Sequence, residues 1–334
     1  MSSFVAYRLP EAKDYVYIRS QKAPIVLSTY TDLVGKEGFV VAPFVISEST
    51  PLLLIQPDSI ETKACFADNL IARRIKKENE DPSSYHSDFE NFHAELLNHH
   101  FQKIVLSRHV DVVCDTTPDP MHLFLKACAL YPHQFICLVS TEQSGTWLMA
   151  TPEILVEQQD NESPWHTMAL AGTMRKDGPW DEKDCKEQEY VADYIEQCLA
   201  DYATDIYRSQ PYTRKAATLY HRCSDFEFRL KDGVSIGNVI SALHPTPAVC
   251  GIPKHETQAF IMRNESHARE YYSGFCGPLQ LNGSSHLFVS LRCMKLVGER
   301  CRLFSGGGLL EQSDEKHEWK ETEYKLNTMM DVLR

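Results

Sequence analysis

One acidic residue falls where a helix should bury an apolar one. Between about Asp181 and Arg208 the pattern repeats with a helical period, and Tyr190, Val191, Tyr194, Ile195, Cys198 and Tyr202 form a single stripe. Glu187 lies inside that stripe, one turn before Val191, whereas Glu189 falls on the opposite side. An inward carboxylate needs a counter-charge, and a metal ion is a common one; an exposed first turn explains Glu187 equally well. The last helix, from about Asp314 to Leu333, buries Trp319, Leu326, Met329, Met330 and Leu333 and gathers Glu318, Glu321 and Lys325 along one edge. A surface ion pair between Glu321 and Lys325 is the plainer reading of that spacing alone. Together the two helices offer two or three carboxylates on separate elements. Such a set suits magnesium, which takes one or two carboxylates and completes its shell with substrate oxygens and water. Just ahead of the last helix, Gly306, Gly307 and Gly308 allow backbone N–H groups to approach an anion, or simply make a flexible turn.

The elements that must position these groups read as strands interrupted by helices. Short strands are expected at Phe4–Arg8, Tyr15–Arg19, Phe39–Ile46 and Leu52–Ile55, then a polar loop or lobe junction over Lys76–Ser87 and a helix from about Asp88 to His99. Further strands are expected at Ile104–Val113, Gln134–Ser140, Thr146–Ala150, His166–Leu170, His286–Val297 and Arg302–Phe304. There is no regular strand–helix–strand alternation, no repeat and no low-complexity tract. This predicts an α+β fold with mostly antiparallel sheets.

Composition removes several classes of function. The 334 residues suit one large domain or two closely joined lobes. Forty-six acidic against 34 basic residues give a net charge of −12, the wrong sign for nucleic acid or an anionic membrane. A small anionic substrate remains compatible, because local cations can hold one inside an acidic protein. Eleven cysteines, an odd number with no CxxC pair, read as reduced thiols rather than a disulfide scaffold or a zinc ribbon. The chain opens without a signal-peptide pattern, and no apolar run approaches the ~20 residues that span a bilayer. We expect a cytoplasmic protein, a monomer or weak dimer.

Nine segments, taken together and in order, make the pattern specific. They are Lys103-Ile-Val-Leu-Ser-Arg108, Ala150-Thr-Pro-Glu-Ile-Leu155, Ala169-Leu-Ala-Gly-Thr173, Lys183-Asp-Cys-Lys-Glu187, Leu243-His-Pro-Thr-Pro-Ala-Val-Cys-Gly251, Arg269-Glu-Tyr-Tyr-Ser-Gly274, Ser290-Leu-Arg292, the Gly306–Gly308 run, and Glu318-Trp-Lys-Glu-Thr-Glu-Tyr-Lys325. The set resembles the chorismate-utilising enzymes, the family of isochorismate, salicylate, anthranilate and aminodeoxychorismate synthases. The likeness covers a catalytic core over 101–334, with a looser match over 1–85, in a single domain spanning 1–334. It implies two stacked, mostly antiparallel sheets flanked by helices, the fold of anthranilate synthase component I.

By the same resemblance Lys103 matches the lysine that activates water, and Glu153 the acid that protonates the departing hydroxyl. Glu187 and Glu321 match ligands of Mg²⁺, with Glu318 beside them. Gly172, Thr173, His244, Tyr271 or Tyr272, Arg292, Gly306, Gly307, Gly308 and Lys325 match the surface that holds chorismate. These types fit the chemistry. Water is a poor nucleophile and hydroxide a poor leaving group, so a neutral amine must take a proton and an acid must deliver one. Arg292 can grip a carboxylate through two parallel hydrogen bonds. Ala171 stands where the aminodeoxychorismate branch has a nucleophilic lysine, and Lys103 is typically absent from the ammonia-using anthranilate branch. A water-using, isochorismate-forming member is therefore expected, serving menaquinone. The alternatives are a salicylate-forming enzyme, isochorismate supply for siderophores, and an inactive relative. Cys185 and Gln188 stand where the family often carries Arg and His.

Overall fold

The structure, a computed structural model, describes residues 3–65, 74–78, 82–216 and 219–334. Two ten-stranded sheets dominate, and every strand pairing in them is antiparallel. The first runs from Gly251–Ile252 through Lys103–Cys114, Arg300–Leu309, Cys293–Val297, Gly145–Thr151 and Phe135–Thr141 to Ser3–Arg8, Asp14–Ser20 and Ser59–Ala64, with Ile75–Lys77 beside Lys103–Cys114. The second runs from Ala203–Arg208 through Leu219–Leu230, Trp165–Met174, Ile154–Gln158, Ser285–Val289 and Phe275–Leu279 to Gly38–Ala42, Leu52–Ile55 and Ile25–Leu27, with Tyr212–Ala216 beside Leu219–Leu230.

Side-chain alternation explains why the sheets stack. Phe39, Val41, Leu53 and Ile55 face inward and meet Tyr7, Phe135, Trp147 and Met149 of the other sheet. Their neighbours Val40, Ala42, Leu52 and Leu54 face outward, under the helices Glu182–Tyr202 and Ile236–Leu243. Both faces are therefore apolar, which is why these strands read as unbroken hydrophobic runs rather than alternating ones. Phe135 stacks on Phe288 across the interface, 4.3 Å between ring centroids at 3°. Each fully buried side chain of this size contributes roughly 1.5–3 kcal/mol. On the outer face of the first sheet lie Pro120–Leu130 and Glu315–Leu333.

Several boundaries differ from the sequence reading. The helix expected through Arg208 ends at Tyr202, and Ala203–Arg208 is a strand on the edge of the second sheet. The region taken as a loop over Lys76–Ser87 holds, among its described residues, the end of the Ile75–Lys77 strand and the start of a helix, Pro82–Leu97. The single strand expected over His286–Val297 is two, Ser285–Val289 in the second sheet and Cys293–Val297 in the first. The three glycines are strand, not turn: Gly306, Gly307 and Gly308 pair with Ser107, Leu106 and Val105. The first 64 residues give three strands to each sheet. All eleven cysteines are free thiols. Among the described residues no helix is long and apolar enough to cross a membrane.

Candidate active site

The polar groups meet where the chain passes from one sheet to the other. Glu153 sits between Gly145–Thr151 of the first sheet and Ile154–Gln158 of the second. Arg292 sits on the return path, between Ser285–Val289 and Cys293–Val297. The crossovers run side by side: Val289 N–H donates to the Glu153 carbonyl (2.9 Å), and Ala150 N–H donates to that of Arg292 (3.1 Å). Arg292 makes the turn at φ 46°, a left-handed conformation that a non-glycine residue adopts at a cost. Both side chains line one cavity, together with Ala171, Gly172, Thr173, Glu187, His221, Tyr272, Gly306, Gly308, Glu321 and Lys325.

Glu153 is 3 % exposed. Burial disfavours its charged form and pushes the carboxyl up to about 8, against the opposing pull of Lys103, Arg292 and Lys325. It is therefore mostly protonated at neutral pH and able to give a proton away. Arg292 is also buried, and burial draws its guanidinium below the usual value. Its Nη2 donates to His221 Nε2 (3.1 Å), whereas Nη1 has no hydrogen-bond partner. An unsatisfied guanidinium N–H on a residue that lines a cavity is a candidate donor for a carboxylate.

His221 explains how Arg292 is held, and the sequence reading missed it. Its Nδ1–H donates to the Gly172 carbonyl (2.8 Å), so Nε2 is the acceptor for Arg292. Burial, then Arg292 and Lys325, push the ring down to about 3, so it stays neutral. The Gly172 carbonyl reaches the ring because the strand register shifts there, between Ala171 and Met174, as in a β-bulge. Gly172 holds φ +72°, and a Cβ would lie 3.1 Å from that of Asp184, so the bulge needs glycine. The signal was parity. Leu219, His221 and Cys223 share one strand face, and a histidine between two buried apolar residues on that face must itself point inward.

The opposite wall is helical. Glu187 enters from Glu182–Tyr202 and Glu321 from Glu315–Leu333. The Lys103 Nζ lies 2.9 Å from Glu187 Oε1. Lys103 is fully buried beneath the cavity wall, and a Cβ at Gly308 would meet both Glu187 Oε1 and Lys103 Cε. Lys325 Nζ donates to Glu321 Oε1 (2.6 Å) and to the Gly306 carbonyl (2.9 Å). Burial alone would raise Glu321, but Lys325 and Lys183 outweigh it and hold the carboxyl well below its usual range. Glu318 is fully buried, does not line the cavity, and accepts from Lys183 Nζ (2.6 Å) and Ser313 Oγ (2.8 Å). Burial, then Glu321, raise its carboxyl. Its second oxygen has no partner. Gly307 alternates to the other strand face, where a Cβ would lie 3.2 Å from that orphaned oxygen.

Of the residues expected at the site, His244, Tyr271 and Gly307 do not line the cavity, and Lys103 and Glu318 lie behind its wall. His244 is buried between Tyr30 and Phe275, 5.4 and 5.0 Å between centroids, and donates from Nε2 to the Pro43 carbonyl (3.2 Å). Burial pushes it down to about 3, and it does not line the cavity. Its inward position satisfies a core, not a substrate. Tyr271 likewise turns into the sandwich, with its hydroxyl donating to the Pro51 carbonyl (3.0 Å) and its ring edge-on to Trp147. The tight turn closed by Tyr272 N–H to the Arg269 carbonyl (2.9 Å) sends the adjacent side chains apart, and Tyr272 is the one that lines the cavity. Gly307 also faces away from it.

The donor set for a cation is oxygen only: Glu187 and Glu321 in the cavity, with the unpartnered Glu318 oxygen behind them. Hard ligands of that kind fit magnesium. Among the described residues no three His, Cys, Asp or Glu side chains already converge on one point. A cation here would have to complete its shell with substrate oxygen and water.

The fold agrees with what known proteins share with the chain. A model of the chorismate binding enzyme family matches residues 54–334, and the chain belongs to that family. Isochorismate synthase EntC of Escherichia coli K12 is 31% identical over 244 residues, 69% of this chain and 62% of that protein. Isochorismate synthase DhbC of Bacillus subtilis is 27% identical over 274 residues, 76% and 68% of the two chains. This chain thus matches just under two thirds of the length of EntC. Among solved structures, the menaquinone-specific isochorismate synthase MenF of Escherichia coli has a TM-score of 0.84 at 18% identity, over 99% of this chain and 89% of that one. Anthranilate synthase component I of Streptococcus pneumoniae has 0.74 at 16%, over 98% and 89%. At those identities the likeness establishes the fold.

Proposed function

We propose that the protein is an isochorismate synthase, which isomerises chorismate reversibly with the help of Mg²⁺. The observation that carries this reading is Glu153, a buried carboxyl that keeps its proton near neutrality and shares a cavity with Arg292, whose Nη1 has no hydrogen-bond partner. Arg292 grips one substrate carboxylate and His221 fixes the guanidinium plane. Lys103 takes a proton from water as its oxygen bonds to ring C2. The ring double bonds shift, and the C4–O bond breaks as Glu153 delivers its proton, so one water enters and one leaves. Bound Mg²⁺, held by Glu187 and Glu321, would offset the charge of the ring carboxylate and orient the ring. Ala171 lines the cavity and leaves no side-chain nucleophile there, which supports water as the attacking group.

In H₂¹⁸O the label should enter isochorismate at C2 in a single turnover. Unlabelled product, or retention of the original C4 oxygen, contradicts the assignment. The menaquinone reading of the pathway is part of this proposal, and the quinone content of a strain lacking the gene tests it.

A further inference from the structure

Each of the three carboxylates of the helical wall, Glu187, Glu318 and Glu321, is closed off by its own lysine. Glu321 is held by Lys325 at 2.6 Å, Glu318 by Lys183 at 2.6 Å, and Glu187 by Lys103 at 2.9 Å. The pairs are not equivalent. Lys325 has a second anchor in the Gly306 carbonyl, and Glu318 a second donor in Ser313. Lys103 has neither. Its Nζ is fully enclosed, and its one close partner lies off the hydrogen-bonding direction, so no aligned bond satisfies it. A buried ammonium with a single misaligned partner is the least stabilised of the three. Glu187 also faces the cavity, whereas Glu318 does not. A cation arriving through the cavity therefore meets the weakest lysine pair first.

We propose that a divalent cation binds here by exchange, taking Glu187 from Lys103. The metal-free chain keeps Lys103 tied to a metal ligand, and loading the site releases it from that pair. Gly308 permits the arrangement, since any side chain there would occupy the space where Lys103 and Glu187 meet. The inference rests on the reading of Glu187 as a metal ligand given above.

The test is calorimetric titration of the full chain with Mg²⁺ alone, without substrate, so that turnover plays no part. The set is wild type, Lys103→Met, Lys183→Met, Lys325→Met and Glu187→Gln, each checked for an intact melting transition, with Lys103→Gln as the second variant should the methionine fail to fold. Removing the competitor should tighten Mg²⁺ binding on the order of 5- to 150-fold, the usual size of a coupling between two sites. Lys183→Met and Lys325→Met should tighten it less. Unchanged or weaker binding by both Lys103 variants overturns the exchange, as does equal tightening by all three methionine variants, which would mark a general charge effect. A different failure belongs to the functional reading: if Glu187→Gln binds Mg²⁺ as wild type does, or no variant takes it up, Glu187 is not a metal ligand at all.

Discussion

The two walls of the cavity are built on opposite electrostatic plans. The strand-built wall places Glu153 and Arg292 at sheet crossovers and His221 within the Leu219–Leu230 strand, and it leaves one donor without a partner, the Arg292 Nη1. The helix-built wall carries Glu187 and Glu321, with Glu318 behind, and pairs every carboxylate with a lysine. One wall keeps an unpartnered cationic donor, the kind of group that suits an anion. The other is already charge-balanced, so a cation must displace something to enter. The rigid backbone pairing of two sheets suits the first task. Two helices with long side chains suit the second.

The largest expected effect comes from breaking the helical wall. Glu187→Ala or Glu321→Ala should abolish turnover while the protein stays folded, and excess chelator should do the same to the wild type. Full activity in chelator would remove the metal from the account. Next comes the proton of the other wall. Glu153→Gln and Lys103→Ala should each lower kcat on the order of 10²–10⁴, the usual range for general acid–base groups. The sign of the pH dependence follows from burial. On the proposed mechanism Glu153 acts in its protonated form, and burial pushes it up to about 8, so the rate should hold through neutrality and fall as pH rises through about 8. That alkaline limb should be missing in Glu153→Gln.

A smaller effect sharpens the anion side. Arg292→Lys keeps the charge but loses the planar fork and its bond to His221. A charge-assisted hydrogen bond is worth about 1.5–3 kcal/mol, so kcat/KM should fall roughly 10- to 100-fold; a drop of less than threefold would mean that Arg292 does not grip the substrate. The smallest contrast is between two buried neutral histidines. His221→Phe should raise KM several-fold with little change in melting temperature, because it frees Arg292. His244→Phe should lower the melting temperature and leave KM alone. Steady-state kinetics beside thermal melts separates them, and the reverse pattern would exchange their roles.

The helical wall was more legible in the sequence than the strand-built one. A carboxylate in an apolar helical stripe breaks a period of 3.6 and stands out, as Glu187 did. An inward polar residue on a strand breaks only a period of 2, and His221 falls in a stretch where polar and apolar residues mix on both faces. His244 was misplaced because its motif carries a histidine without saying which way it points; aromatic neighbours from Tyr30 and Phe275, distant in sequence, decide that. The break at Leu291 and Arg292 was hidden because apolar strands flank it on both sides, so only the pairing partners reveal a change of sheet. The triple glycine looked like a turn because glycine is rare in strands. Here Gly306 and Gly308 leave room for Tyr272, Lys103 and Glu187, which come from other elements.

The central claim is that this cavity exchanges a hydroxyl on chorismate using water, and product chromatography tests it most directly. Purified protein would be given chorismate and Mg²⁺, with and without ammonium, and in a separate run isochorismate. Isochorismate should form from chorismate and chorismate from isochorismate, converging on one ratio, with little salicylate at neutral pH and no effect of ammonium. Salicylate with stoichiometric pyruvate as the main early products, or an aminated ring, would contradict the account.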